Sequence, residues 1–189
     1  MYRARWIVVG ASALALAACG HKDETTTTTN TVTTENTVMA DNMVMPAASP
    51  SQQFANAAAS SDAFEIASSQ LAATQAESPA VKKFAAEMIK AHTESTAKLK
   101  TAAAAATPAV VPDATLAAEQ QQSLDSLKLL KGADFDKAYA GAQVDAHQKT
   151  LAALKVYSTT GDVPSLKAFA TKLLPTVAAH LNMATALKK

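Results

Sequence analysis

The chain has 189 residues, of which 49% are apolar and 17% are charged. Alanine supplies 45 of the apolar residues, and only 5 glycines and 7 prolines interrupt the chain. This composition favours one domain of helices with an alanine-lined core, and it excludes collagen-like and glycine-linker chains. The formal net charge of +1 gives no basic footprint for nucleic acid and no acidic tail.

The first residues have the features of a bacterial export signal. Two arginines precede an apolar run from Trp6 to Ala17, which is too short to span a bilayer as a stable helix. The run ends in Leu-Ala-Ala-Cys19, similar to the lipobox of bacterial lipoproteins, in which the cysteine receives a diacylglycerol. Cys19 is the only cysteine of the chain, so lipidation would account for an otherwise unpaired thiol. We therefore expect a lipoprotein signal peptide at residues 1–18 and a lipid anchor at Cys19.

The expected location follows from the residue after the cysteine. Gly20 stands where enteric lipoproteins that stay in the inner membrane carry an aspartate. This resemblance favours an outer-membrane lipoprotein that faces the periplasm, with the inner membrane and the cell surface still open. The alternative is an ordinary secretory signal in which Cys19 has no role.

Residues 19–53 are predicted to be the lipidated cysteine and a disordered tether. The segment after Cys19 contains nine threonines, two prolines and no aromatic residue, so it cannot form a core. A flexible coil of about 34 residues has a root-mean-square reach of about 30 Å. Met39, Met43 and Met45 could bind Cu(I) through soft thioethers, although a solvated spacer is the simpler interpretation.

Residues 54–189 are predicted to fold as one all-α domain. Prolines and glycines delimit five segments, and inside them apolar residues recur at spacings of three and four, which is the pattern of bundle helices. The expected helices cover residues 51–77, 79–106, 113–130, 133–159 and 163–188.

The third segment determines the predicted topology. A helix of about 18 residues, capped by Asp113, would rise about 27 Å and could carry the chain from one end of the bundle back to the other. The flanking hairpins have similar sequences after Pro79 and Pro164, and they would be joined by a long crossover. We therefore expect a ferritin-like four-helix bundle with an additional crossover helix. The alternatives are a connector that packs as a fifth bundle member and, at Pro175, a kink or bulge in the last helix.

Several elements of this domain are typical of one family. They are Phe64-Glu65 to Leu71-Ala72, Ser78-Pro79 to Phe84-Ala85, His92, the Gly-Ala-Asp-Phe-Asp-x-x-Tyr element at 132–139, His147 and the helix from Pro164 to His180. Together they resemble the bacterial envelope family of unknown function numbered four-one-four-two, over about residues 54–187. The resemblance implies a ferritin-like fold and a periplasmic or lipoprotein setting, and no agreed activity comes with it. Many members carry an aspartate where this chain has Ala91.

The candidate chemistry lies in three histidines and one glutamate. His92, His147 and His180 lie on or beside the apolar stripes of three different helices, and Glu65 holds the corresponding place on the first helix. Counting residues from the hairpin turns pairs Glu65 with His92 and His147 with His180, all within ~5 Å of the bundle midplane. Imidazole and carboxylate groups are ligands of Zn, Cu, Mn and Fe. These four residues are therefore the predicted site of a single divalent transition metal.

A simpler interpretation stays open for the same residues. Each histidine could be a buried, neutral core residue that is hydrogen-bonded to Glu65, to a serine such as Ser61 or Ser68, or to water. A ferritin di-iron site is excluded because it needs Glu-x-x-His on two helices, and the residues three positions before the histidines are Ile89, Val144 and Val177.

The sequence favours no catalytic or cofactor-binding residue. It has no nucleophile elbow, no phosphate-binding glycine loop and no dense acid pair. The first hypothesis is a lipid-anchored envelope protein with a structural or interaction role. The second is a metal-binding or metal-dependent stress-protection protein, and a redox enzyme comes third. No spacing identifies a protein partner or an oligomeric state.

Overall fold

The computed structural model describes residues 48–189. The predicted signal peptide, Cys19 and tether residues 20–47 lie outside this range. The described residues form five α-helices and no strand, which confirms the all-α prediction. Within this range no helix combines the length and the apolar character needed to cross a membrane. The helices are α1 (Pro50–Gln75), α2 (Pro79–Ala104), α3 (Ala118–Lys128), α4 (Gly132–Thr160) and α5 (Pro164–Ala186).

Local sequence sets the helix starts. Helices α1, α2 and α5 each begin at a proline, whose missing N–H costs nothing in the first turn. The Ser49 side chain accepts a hydrogen bond from the N–H of Gln52 and caps α1. The first helix, predicted from residue 51, therefore begins at residue 50, and it includes residues 50–53 of the predicted tether segment. Helix α5 continues through Pro175.

The two hairpins, α1–α2 and α4–α5, are joined by a long crossover. The Gln75 side chain at the end of α1 donates to the carbonyls of Leu127 and Lys128 at 3.0 and 3.3 Å, so α4 starts beside the α1–α2 turn. The Ser165 hydroxyl at the start of α5 donates to the carbonyl of Ala102 at 2.7 Å, so α5 starts beside the end of α2. Helix α4 therefore runs parallel to α2, which gives the ferritin-like topology.

The crossover contains less helix than predicted. The expected helix at 113–130 is reduced to α3, and residues 105–117 are not α-helical. Asp113 caps no helix, because its Oδ1 accepts from the N–H and the hydroxyl of Thr115 at 2.9 and 2.7 Å in a local turn. The N–H of Asp113 donates to Asn56 on α1 at 3.0 Å. A non-helical chain covers up to ~3.3 Å per residue, against ~1.5 Å in a helix. A crossover with one short helix is therefore long enough to reach from one end of the bundle to the other.

The Gly-Ala-Asp-Phe-Asp-x-x-Tyr element fixes the start of α4 on the α1–α2 turn. Gly132 has a φ of +61°, a conformation that favours glycine. The Asp136 carboxylate accepts the backbone N–H of Ser78 at 2.7 Å. The rings of Phe135 and Tyr139 are fully buried and stacked, with centroids 5.7 Å apart. This element therefore has a structural role, because it holds the start of α4 against the α1–α2 turn.

A polar layer divides the bundle core. One apolar cluster contains Phe54 and Leu99, near the start of α1 and the end of α2. A second cluster, at the opposite end of the bundle, contains Phe84 and Tyr139. Between them, buried polar side chains come from four helices: Asp62, Glu65, Ser68, His92, Ser95, Gln143, His147 and His180.

Candidate metal centre

Three histidines meet in the polar layer. Helix α2 supplies His92, α4 supplies His147 and α5 supplies His180, and all three are buried. The ring centroids are 5.6 Å apart for His92 and His147, 5.8 Å for His92 and His180, and 5.5 Å for His147 and His180. One ring nitrogen from each histidine lies within 4.8 Å of the other two. The long crossover thus gathers side chains that are far apart in sequence.

Each histidine has a buried ring nitrogen without a hydrogen-bond partner among residues 48–189. These atoms are Nε2 of His92, Nε2 of His147 and Nδ1 of His180. Buried polar atoms are paired in the large majority of cases, so these exceptions require an explanation. The same layer holds three oxygens without a partner in this range, which are Oε2 of Glu65, Oγ of Ser95 and Oε1 of Gln143. Hydrogen bonding in the core accounts for Nδ1 of His92 and of His147 and leaves these three nitrogens unexplained. A metal ion would use all three lone pairs at once.

A carboxylate holds the outer edge of the His92 ring. Nδ1 of His92 donates to Oδ1 of Asp62 at 2.7 Å, and Oδ2 of Asp62 accepts from the hydroxyl of Thr96 at 3.1 Å. With the proton on Nδ1, the lone pair is on Nε2. Carboxylates behind metal-ligating histidines fix the tautomer and the ring orientation in this way and increase the basicity of the ligand.

The His147 ring is held similarly. Its Nδ1 donates to the backbone carbonyl of Gln143 at 2.8 Å and lies 3.4 Å from Oε1 of Glu65. Glu65 is only 1% exposed. The Gln143 side chain donates to the hydroxyl of Ser68 at 3.0 Å and thereby joins α4 to α1. Glu65 therefore lies behind His147, on the edge of the ring opposite the unpartnered Nε2.

The structure thus pairs the predicted residues differently. The sequence analysis placed Glu65 opposite His92, whereas the structure places Asp62 there and puts Glu65 against His147. The three histidines come together, and Glu65 is not part of the group of three nitrogens. Sequence reasoning missed Asp62. A signal was present, because residues three positions apart share a helix face and Asp62 precedes Glu65 by three.

Burial separates the pKa values of the cluster. Burial lowers the pKa of His147 to about 4, and the nearby positive charges of His92 and His180 act in the same direction. Burial also lowers the pKa of His180 to about 4. For His92, burial acts to lower the pKa, but the hydrogen bond to Asp62 and the negative charges of Glu65 and Asp62 outweigh it. The pKa of His92 is therefore raised. Burial raises the pKa of Glu65 to about 7. At neutral pH, His147 and His180 therefore offer unprotonated nitrogens.

The metal-free protein is expected to lose stability as the pH falls from about 6.5 to about 4. His147 and His180 bind protons near pH 6.5 when unfolded but only near pH 4 when folded, so the unfolded state binds more protons in this window. Glu65 acts in the opposite direction, because its folded pKa of about 7 exceeds the 4.5 of an unburied glutamate. The raised pKa of His92 acts in that direction too, but mainly above pH 6.5. Two histidines outweigh one carboxyl group, so the free energy of unfolding decreases on acidification.

Urea unfolding in a chelator at a series of pH values measures this effect. The substitution His147→Gln removes one of the two histidines that cause this loss of stability. The free energy of unfolding should therefore change less steeply with pH between pH 6.5 and 4.5. His21→Ala, outside residues 48–189, should leave this pH dependence unchanged. Stability that stays constant or increases on acidification would contradict the expectation.

The fold and the site define a ferritin-like helical bundle with a buried three-histidine cluster. A family model described as Domain of unknown function (DUF4142) matches residues 36–187. This match covers most of the chain, and the protein belongs to this family. The resemblance found in the sequence is thereby confirmed. No curated protein matches the chain.

Solved structures of a protein named CopM share the fold. The Cu(II)-bound form of CopM matches with a TM-score of 0.62 and 18% identity, over 73% of this chain and 95% of the CopM chain. The Cu(I)-bound form matches with a TM-score of 0.59 and the Ag-bound form with 0.58, each at 18% identity over 72% of this chain and 93% of the other. At this identity the likeness shows a common fold.

Proposed function

We propose that this protein binds one transition-metal ion, with copper the first candidate, through His92, His147 and His180. The observation that carries the proposal is a cluster of three buried histidines: one ring nitrogen of each lies within 4.8 Å of the other two, and each ring has a buried nitrogen without a partner among residues 48–189. The similar structures of CopM are of its Cu(II)-, Cu(I)- and Ag-bound forms, which adds support for copper.

The donor set suits such an ion. Imidazole nitrogen is a ligand of copper, zinc, iron and nickel, whereas calcium and magnesium prefer oxygen. Asp62 and Glu65 lie behind two of the imidazoles and would supply negative charge to offset a buried cation. The chain's own residues thus provide the ligands, their orientation and the charge balance. We therefore propose binding or buffering of the metal as the function of the domain.

We propose the cell envelope as the setting. The lipobox at Cys19 supports a lipid anchor, and the envelope setting that the family resemblance implies agrees with it. Mass spectrometry of the mature amino terminus should find Cys19 lipidated, and Cys19→Ser should release the protein from the membrane fraction. An unmodified Cys19 in a cleaved chain would contradict the anchor and leave the metal proposal untouched.

Metal analysis of the purified chain tests the metal proposal. The metal-free Cys19→Ser protein is incubated with copper or zinc, freed of excess metal and analysed by mass spectrometry for metal per chain. We expect about one ion per chain at the three-histidine site. His92→Asn and His180→Asn should lose it, because each removes one of the three nitrogens.

A matched control exists in the same chain. His21→Ala also removes one histidine, but it lies far from the cluster in sequence, so this variant should retain the ion. A protein that binds no metal, or that keeps its metal in both cluster variants, would contradict the proposal. A structural or interaction role in the envelope would then be the remaining hypothesis.

A further inference from the structure

Two thioethers lie one turn away from the histidine layer. Residues 48–189 contain two methionines, Met88 and Met183. Met88 precedes His92 by four residues on α2, and Met183 follows His180 by three residues on α5. Both spacings keep the methionine on the same helix face as its histidine. Neither methionine is used by the site described above.

The two methionines lie on the same side of the histidine layer. Helices α2 and α5 are neighbours and run antiparallel, because the start of α5 bonds to the end of α2 through Ser165 and Ala102. Moving backward along α2 and forward along α5 therefore leads to the same end of the bundle. Met88 lies about 6 Å and Met183 about 4.5 Å along the helix axes from the histidines. Both pack in the same apolar cluster, Met88 fully buried and Met183 partly buried.

Side-chain direction distinguishes the two methionines. Helical side chains lean toward the amino terminus of their own helix. On α5 this direction takes the Met183 side chain back toward the level of His180. On α2 it takes the His92 ring toward the end of the bundle where Met183 lies, whereas the Met88 side chain leans further away from His92. Met183 is therefore the methionine directed toward the imidazoles.

We propose that Met183 makes the site selective for the soft monovalent ions Cu(I) and Ag(I) by supplying one thioether sulfur beside the three imidazoles. This inference rests on the proposed function. Three imidazoles leave one position of a tetrahedral ion open. Thioether sulfur favours Cu(I) over harder divalent ions, and it adds no charge to a buried site. Leucine would fill the same apolar positions with similar volume, so sulfur is the feature that leucine cannot replace.

A sulfur-reduced parent chain isolates the pair. Cys19→Ser together with Met39→Leu, Met43→Leu and Met45→Leu leaves Met1, Met88 and Met183 as the sulfur-containing residues. Binding of Ag(I), which requires no reductant, is measured by calorimetry in chloride-free buffer. Binding of Zn(II) is measured by competition with a chromophoric chelator. Metal-free unfolding midpoints show whether each variant is folded.

The substitution Met183→Leu should weaken Ag(I) binding by about tenfold or more and change Zn(II) binding by less than about twofold, whereas Met88→Leu should change neither affinity. The volume-conserving swap Leu99→Met, in the other apolar cluster, controls for packing and should change neither affinity. X-ray absorption of the parent loaded with Cu(I) should find sulfur as well as nitrogen around the ion. This measurement uses the parent chain, so it tests the proposal even if a leucine variant folds poorly.

Each other result overturns the inference in a recognisable way. Unchanged Ag(I) affinity in Met183→Leu, or a nitrogen-only copper environment, would leave the three-histidine site intact and remove Met183 from it. An equal loss for Ag(I) and Zn(II) would assign Met183 to packing alone. A parent that binds neither ion would overturn the proposed function itself.

Discussion

Saturation with metal is expected to raise the free energy of unfolding by about 4 kcal/mol when the free ion exceeds its dissociation constant about 1,000-fold. The reason is geometric. The ligands come from α2, α4 and α5, and they are close together only in the folded bundle. Each kcal/mol shifts the melting temperature of a domain of this size by about 2–4 °C, so a rise of about 8–16 °C is expected.

Thermal unfolding followed by circular dichroism, with metal and with a chelator, measures this increment. The quantity compared is the difference between the two conditions, because a substitution in the core also changes the stability of the metal-free protein. His147→Gln should lose most of the increment, since it removes the α4 ligand. His21→Ala should keep all of it. An increment that persists in His147→Gln would place the stabilising ion elsewhere.

The bundle could be predicted because its signals are local. Prolines at 79 and 164 start helices, and apolar residues at spacings of three and four define their buried faces. The crossover is different, because its conformation depends on long-range contacts. Gln52 and Asn56 on α1 hold residues 111–113 through hydrogen bonds, and the sequence of the crossover gives no sign of these partners. A helix was therefore predicted where the chain is not helical.

The site shows the same division between local and long-range information. Counting residues from turns gave the depth of each histidine along the bundle, which depends only on helical rise. It could not give rotation about the helix axis, which decides whether Asp62 or Glu65 faces His92. That choice depends on how α1 packs against both α2 and α4, because Asp62 contacts α2 and Glu65 contacts α4. Neighbouring turns of one helix thus serve two different histidines.

Asp62→Asn is expected to weaken metal binding by about 10–100-fold while the bundle remains folded. Asparagine has the same shape, and its carbonyl oxygen can still accept the hydrogen bond from Nδ1 of His92. Its neutral amide removes the negative charge that raises the pKa of His92 and offsets the charge of a bound cation. The ion would then lie in a more positive environment, bound by a less basic imidazole. Competition titration against a chelator of known affinity measures the change.

Asp125→Asn is the matched control for this charge. Asp125 lies on α3, where its exposed carboxylate pairs with Lys128 at 2.8 Å, so the substitution removes one negative charge without touching the histidine cluster. If the effect came from the net charge of the protein, both variants would weaken binding alike. If it comes from the carboxylate charge of Asp62 beside His92 inside the core, only Asp62→Asn will do so. An Asp62→Asn protein that binds the ion as tightly as the unsubstituted protein would mean that Asp62 serves the apoprotein's packing and has no part in holding the ion.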